Sequence, residues 1–177
     1  MRHEETGAYA AGAEAQLHGG IACCAGSSGP GHVHLINGLY DAHRSGATVI
    51  AIASAIPTEE FGTQSFQETN TIRSVYNQVI STPEQLPRMV HGAVQAAISQ
   101  RGVAVVGLPG DVTSKATENI PSSSHAFFTH PRVCPSEEEL RQIADLLNGE
   151  AKVTLFGGIG AREAHDEVVE LSHRLKA

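Results

Sequence analysis

Three short apolar runs, at residues 21–25, 48–53 and 103–108, alternate with stretches of helical periodicity, and this alternation constrains the fold more than any other feature of the chain. Continuous apolar runs of this length suit strands covered on both faces, and strands that take turns with helices form parallel sheets. The reading is an α/β fold, a parallel sheet flanked by helices. Helices are placed at residues 4–17, 30–45 and 83–100, and a further strand at 76–80. The first helix carries seven alanines or glycines between Thr6 and Ala15, a slim surface that packs closely on a neighbour and buries the helix. Gly19 and Gly20 end it. Pro30, with its fixed φ, opens the second, whose core face is read as Val33, Ile36, Leu39 and Tyr40. In the third, Leu86, Met89, Val90, Val94 and Ile98 share one face.

With 177 residues, 41% hydrophobic content and 18 glycines, the chain is long enough to bury a core. Residues 1–115 read as one domain and 116–135 as a polar linker. Residues 136–177 read as the start of a second α/β unit, with a helix capped by Ser136, a strand at 152–156 and a helix at 162–176. A net charge of -7 and a pI near 5.8 exclude the basic footprint of a nucleic-acid binder. No run of about 18 apolar residues could span a bilayer. Acidic residues stand where a signal peptide has its positive start, so a cytoplasmic protein is expected. Cys23, Cys24 and Cys134 lack metal-type spacing, and the adjacent pair reads as buried small hydrophobes. His32 and His34 fall on different faces of a helix, whereas a helical zinc pair is spaced by about four residues, so no metal ligation by histidine is expected.

Four segments stand out: Arg2-His3-Glu4-Glu5, the turn Gly26-Ser27-Ser28-Gly29-Pro30-Gly31, Phe66-Gln67-Glu68-Thr69, and Val106-Gly107-Leu108-Pro109-Gly110-Asp111. Taken singly each has a plain structural reading. Glu4 and Glu5 suit the positive end of a helix dipole, residues 26–31 suit a tight βα turn, and Phe66 suits a packing anchor in a long loop. The turn is neither a P-loop nor a G-x-G-x-x-G fingerprint.

In this order, however, the segments resemble the pyrimidine-binding module of thiamine-diphosphate enzymes, and within them the bacterial pyruvate oxidase and pyruvate:quinone dehydrogenase family. The resemblance implies oxidative decarboxylation of pyruvate, with electrons passing through flavin to quinone or oxygen. It makes Glu4 the residue that activates the cofactor, by sharing a proton with a pyrimidine ring nitrogen so that the cofactor's own amino group can act as base. For that role the carboxyl should be buried and its pKa raised by desolvation. Gly29, Pro30 and Gly31 are implied to line the cofactor site. Phe66 would wall off the pyruvate methyl group and Gln67 would donate a hydrogen bond to a developing oxyanion. The strand exit at Asp111 receives no chemistry.

The same resemblance marks departures. The module's first strand and helix, most of a central domain and the whole diphosphate-binding domain have no counterpart, and no Gly-Asp-Gly occurs to hold magnesium and the diphosphate. Half a thiamine-diphosphate site is therefore expected, inactive alone and dependent on a homo-oligomer or a complementing diphosphate-binding subunit. FAD and magnesium would belong to the complete parent enzyme. The turn Gly157-Gly158-Ile159-Gly160 falls where the flavin domain of the oxidases begins. The rival readings are an acetolactate synthase-like carboligase fragment and a non-catalytic dimerisation fragment. The run His34-Leu35-Ile36-Asn37-Gly38-Leu39-Tyr40-Asp41 and the Phe-Gln-Glu-Thr segment favour the oxidase.

Overall fold

The structure is a computed structural model that describes residues 1–63, 74–117, 133–149 and 152–177. Two compact units, Met1–Pro131 and Arg132–Ala177, divide the chain. The first unit contains helices α1 (Glu4–His18), α2 (Pro30–Arg44), α3 (Leu86–Gln100) and the short α4 (Gly110–Thr113) and strands β1 (Ala22–Gly26), β2 (Val49–Ala55), β3 (Tyr76–Val79) and β4 (Val103–Pro109), in the chain order α1-β1-α2-β2-β3-α3-β4-α4. The strands form one sheet in the order β1-β2-β4-β3, and every pairing is parallel. Register runs from Ala22 against Val49, through Val49 against Val103, to Ala104 against Tyr76.

Alternating side chains divide the core into two layers. On one face Cys24, Val49, Ala51, Val103 and Val105 meet Ala8, Ala11 and Ala15 of α1 and Leu35, Leu39 and Ala42 of α2. On the other, Ile50, Ala104 and Val106 meet Ala93 and Ala97 of α3, with Ile80 and Val112. The α/β reading with a parallel sheet is thus the observed architecture.

Several packing expectations need correction. Leu39 is buried, but Val33 (50% exposed), Ile36 (38%) and Tyr40 (59%) are not. The inward stripe is instead Gly31, His32, Leu35, Gly38, Leu39 and Ala42, because Gly38 and Ala42 let α2 approach α1 more closely than a larger residue permits. Helix α1 buries only its stripe of Ala8, Ala11, Gly12 and Ala15, and leaves Tyr9 and Leu17 exposed. On α3, Met89, Val94 and Ile98 turn towards the core, while Leu86 and Val90 lie at its exposed margin. β1 alternates buried and exposed positions, since among the described residues it is an edge strand with one face uncovered. Cys24 is therefore buried as expected and Cys23 is not. Burial pushes the Cys24 thiol up to about 11, with a smaller contribution from Cys23, which makes it a packing residue rather than a nucleophile.

The second unit contains α5 (Glu137–Leu147) and α6 (His165–Leu175). Ser136 caps α5 as its sequence indicates. Its hydroxyl accepts from the Glu139 amide at 3.3 Å while its own amide donates to the Glu139 carboxylate at 2.7 Å, a reciprocal capping box. The strand expected at 152–156 does not form. A strand is defined by ladder bonds to a partner, and the described residues of this unit supply none. The glycine turn leads into a one-turn 3-10 helix at Ile159–Ala161.

Candidate functional site

Residues 19–21 connect α1 to β1 and residues 27–29 connect β1 to α2, so both helices run against the strand and present their N-termini at its carboxyl end. They are parallel neighbours with a constant offset. Ala8 faces Gly38, Gly12 faces Ala42, and Glu4 meets His34, each pair 30 positions apart. The approach at Gly38 is close enough that a Cβ there would lie 2.6 Å from the Ala8 Cβ and from the Tyr9 amide nitrogen. This contact fixes the register that brings Glu4 over the start of α2.

The Glu4 carboxylate is anchored from two sides. Its Oε2 lies 3.3 Å from Nδ1 of His34, and its Oε1 hangs over Gly31, where a Cβ would come within 2.7 Å. Gly31 leaves room for the carboxylate, and Gly29, with φ +67° and ψ -121°, adopts a backbone conformation that side chains oppose. Pro30 occupies the first helical turn. The structure thus gathers Glu4, Gly29, Pro30 and Gly31 at one end of the sheet. Next to Glu4, the Glu5 carboxylate accepts from the Asn37 side-chain amide at 2.9 Å, and the His3 and His34 rings stack with centroids 4.4 Å apart. An open groove of about 650 Å³ runs beside these groups, lined by His3, Glu4, Cys23, Gly26, Ser27 and Ser54 among others.

The expected electrostatic state of Glu4 is corrected. Its side chain retains 29% of its exposure, and its pKa is lowered. The first cause is a hydrogen bond from its own backbone amide, free because it opens the helix, and the second is the bond to His34. Desolvation acts in the opposite direction and loses. In this arrangement Glu4 is a carboxylate at neutral pH.

His34 was absent from the candidate residues, although the sequence held a signal for it. Small residues at 8 and 12 and again at 38 and 42 set a register that pairs position 4 with position 34. Phe66 and Gln67 lie outside the described residues.

Asp111, assigned no chemistry from sequence, pins the loop that leaves β2. Its Oδ1 accepts from the Thr58 amide at 2.9 Å and its Oδ2 from the Thr58 hydroxyl at 2.8 Å, with Lys115 at 3.4 Å. These bonds, the amide first, hold the carboxyl below its usual range. A carboxyl depressed on folding contributes stability above its unfolded pKa, about 3.9, and that contribution is lost as pH falls through the folded value. The Thr58 amide resonance should accordingly stay fixed as pH is lowered to about 4 and shift only below it. A midpoint at or above the ordinary aspartate value would contradict the contact.

A substitution isolates the Glu4 cradle. Gly31→Ala should displace the Glu4 carboxylate and break its contact with His34, because the new methyl group meets Oε1 and the Ser27 hydroxyl. Loss of the cross-helix Glu4–His34 contact in a crystal structure or by NMR, in a chain that remains folded, is the expected result. An undisturbed carboxylate would show that the cradle is roomier than these distances imply.

Residues 1–74 match the family model described as the thiamine pyrophosphate enzyme N-terminal TPP binding domain. The whole chain is similar to an uncharacterized 42.6 kDa protein from the isoamylase 3' region of Pseudomonas amyloderamosa, 47% identical over an alignment that covers 46% of that protein. It is 34% identical to a pyruvate oxidase of Lactiplantibacillus plantarum over 99% of this chain and 30% of that enzyme. It is 32% identical to an acetolactate synthase of Arthrospira platensis over 99% of this chain and 32% of that enzyme. The chain therefore spans less than half the length of these relatives. No helix among the described residues is long and apolar enough to cross a membrane.

Proposed function

We infer, with the thiamine pyrophosphate N-terminal binding domain over residues 1–74 as the premise, that this chain supplies the pyrimidine-binding half of a thiamine-diphosphate site. The reaction we propose is oxidative decarboxylation of pyruvate, with electrons passed through flavin to quinone or oxygen. The observation that carries the reading is the Glu4 carboxylate, held over Gly31 at the joined N-termini of α1 and α2 beside an open groove. A flat heteroaromatic ring with a ring nitrogen fits that donor set. The glycine backbone allows close approach, and the carboxylate offers an oxygen to a protonated nitrogen. When bound, thiamine diphosphate supplies the electron sink that makes loss of carbon dioxide from a 2-oxo acid feasible.

Glu4 holds a proton at that ring nitrogen, and His34 orients the carboxylate for the task. The depressed pKa belongs to a half-open site. Once a ligand and a partner module exclude water from the groove, desolvation shifts the balance towards the shared proton that activation requires. Gly31 lies under the Glu4 carboxylate, and we assign Gly29 and Pro30 to the same cofactor site. We place Phe66 and Gln67 against the substrate, as wall and hydrogen-bond donor. The complete enzyme would draw on FAD and magnesium, and we assign no residue of this chain to either. The partner is a second copy of this chain in a homo-oligomer, or a complementing subunit that carries the diphosphate-binding module.

Reconstitution tests this reading. The full chain would be mixed with the Lactiplantibacillus pyruvate oxidase from which the region aligned to this chain has been deleted. Pyruvate-dependent carbon dioxide release that needs thiamine diphosphate and both components supports it. Acetolactate as the product would transfer the reading to a carboligase. A mixture that binds no cofactor would overturn it.

A further inference from the structure

We propose that His3, Glu4 and His34 form a binding site for a zinc-type transition-metal dication at the paired N-termini of α1 and α2. One donor atom from each of the three side chains lies within 4.8 Å of the other two. Metal–ligand bonds of about 2.0–2.1 Å place tetrahedral donors roughly 3.3 Å apart. The Glu4 and His34 donors already stand at 3.3 Å. The remaining closure falls to His3, whose 50% exposed side chain stacks on the His34 ring and whose backbone is held by the start of α1.

The donor chemistry selects the ion. Two imidazoles and a carboxylate suit zinc, cobalt or nickel, whereas magnesium and calcium require oxygen ligands. Three protein donors leave a fourth position open to solvent. Glu5 lies 3.9 Å from His3 Nδ1 and is itself held by Asn37 at 2.9 Å, an outer carboxylate of the kind that orients a ligating imidazole. The two helix N-termini oppose a cation, and the negative charges of Glu4 and Glu5 offset them. The inference is independent of the cofactor reading. If both hold, the metal and a pyrimidine ring compete for the same carboxylate, and zinc inhibits the assembled enzyme.

The test is titration of the full chain with zinc chloride by calorimetry, and with cobalt chloride by visible absorption, in the absence of any thiamine compound. We expect one equivalent bound with a Kd in the micromolar range, and cobalt bands of low-coordinate, nitrogen-containing geometry. Glu4→Gln and His34→Asn should each weaken binding at least tenfold, and His173→Ala, in the other unit, should leave it unchanged. Absence of micromolar binding would overturn the site. So would an affinity that His34→Asn leaves intact, since the chain's ten histidines could then bind zinc elsewhere. Neither result bears on whether Glu4 serves a cofactor.

Discussion

Glu4→Gln is expected to lower pyruvate turnover by the reconstituted complex by about 10²–10⁴-fold, the usual range for removing a positioned acid–base group. The fold should survive, because glutamine keeps the length and the packing of the side chain. It can still accept from the amide at the start of α1 and reach His34. What it cannot do is hold a proton in common with a ring nitrogen. The loss should therefore fall on kcat more than on KM for pyruvate, since Glu4 is proposed to touch the cofactor and not the substrate. Thiamine-diphosphate affinity should fall less than turnover. Near-normal turnover would remove Glu4 from the chemistry and leave it a helix-terminal acid, the plain reading of its position.

The same position explains what could and could not be read from the chain. Apolar runs and helical periodicity report local geometry, and they located β1, β2, β4, α1 and α2 to within about two residues, while α3 begins three residues later than expected because Pro83–Gln85 forms a separate 3-10 turn. They do not report rotation about a helix axis when two stripes compete. On α2 the larger residues Val33, Ile36 and Tyr40 outweigh Gly31, Gly38 and Ala42 on any hydrophobic scale, yet the small residues face inward. Close approach of two backbones, not side-chain hydrophobicity, decided the matter. Edge status was equally hidden. The run of residues 21–25 looks like a central strand, and only the observed strand order puts Cys23 on an uncovered face. The state of Glu4 was missed because the amide that opens a helix and a histidine 30 residues away both act on it, and neither is visible in its immediate sequence.

Gly38→Ala should be the most damaging small substitution in the first unit, and its sign follows from two opposing terms. Alanine in place of a mid-helix glycine gains about 0.5–1 kcal/mol from the reduced freedom of the unfolded chain. Against this, the added Cβ would lie 2.6 Å from the Ala8 Cβ and the Tyr9 amide nitrogen, and 2.9 Å from the Ala8 carbonyl carbon. Two of those atoms are backbone, so relief requires that α1 and α2 move apart, at the roughly 1–3 kcal/mol typical of overpacking. A net loss of stability is expected, read as a lower urea midpoint for unit 1 with little change in slope. Gly7→Ala provides the contrast. Its Cβ would meet only the Met1 sulfur at 3.8 Å, an ordinary contact, so the helical gain stands alone and the midpoint should rise. Opposite shifts at two glycines of the same helix pair would establish that the contact between Ala8 and Gly38 sets the register. Since Glu4 and His34 lie one turn further along the same seam, Gly38→Ala should also part them. A Gly38→Ala chain that kept both its midpoint and the Glu4–His34 contact would show that the register, and with it the cradle over Gly31, is set elsewhere.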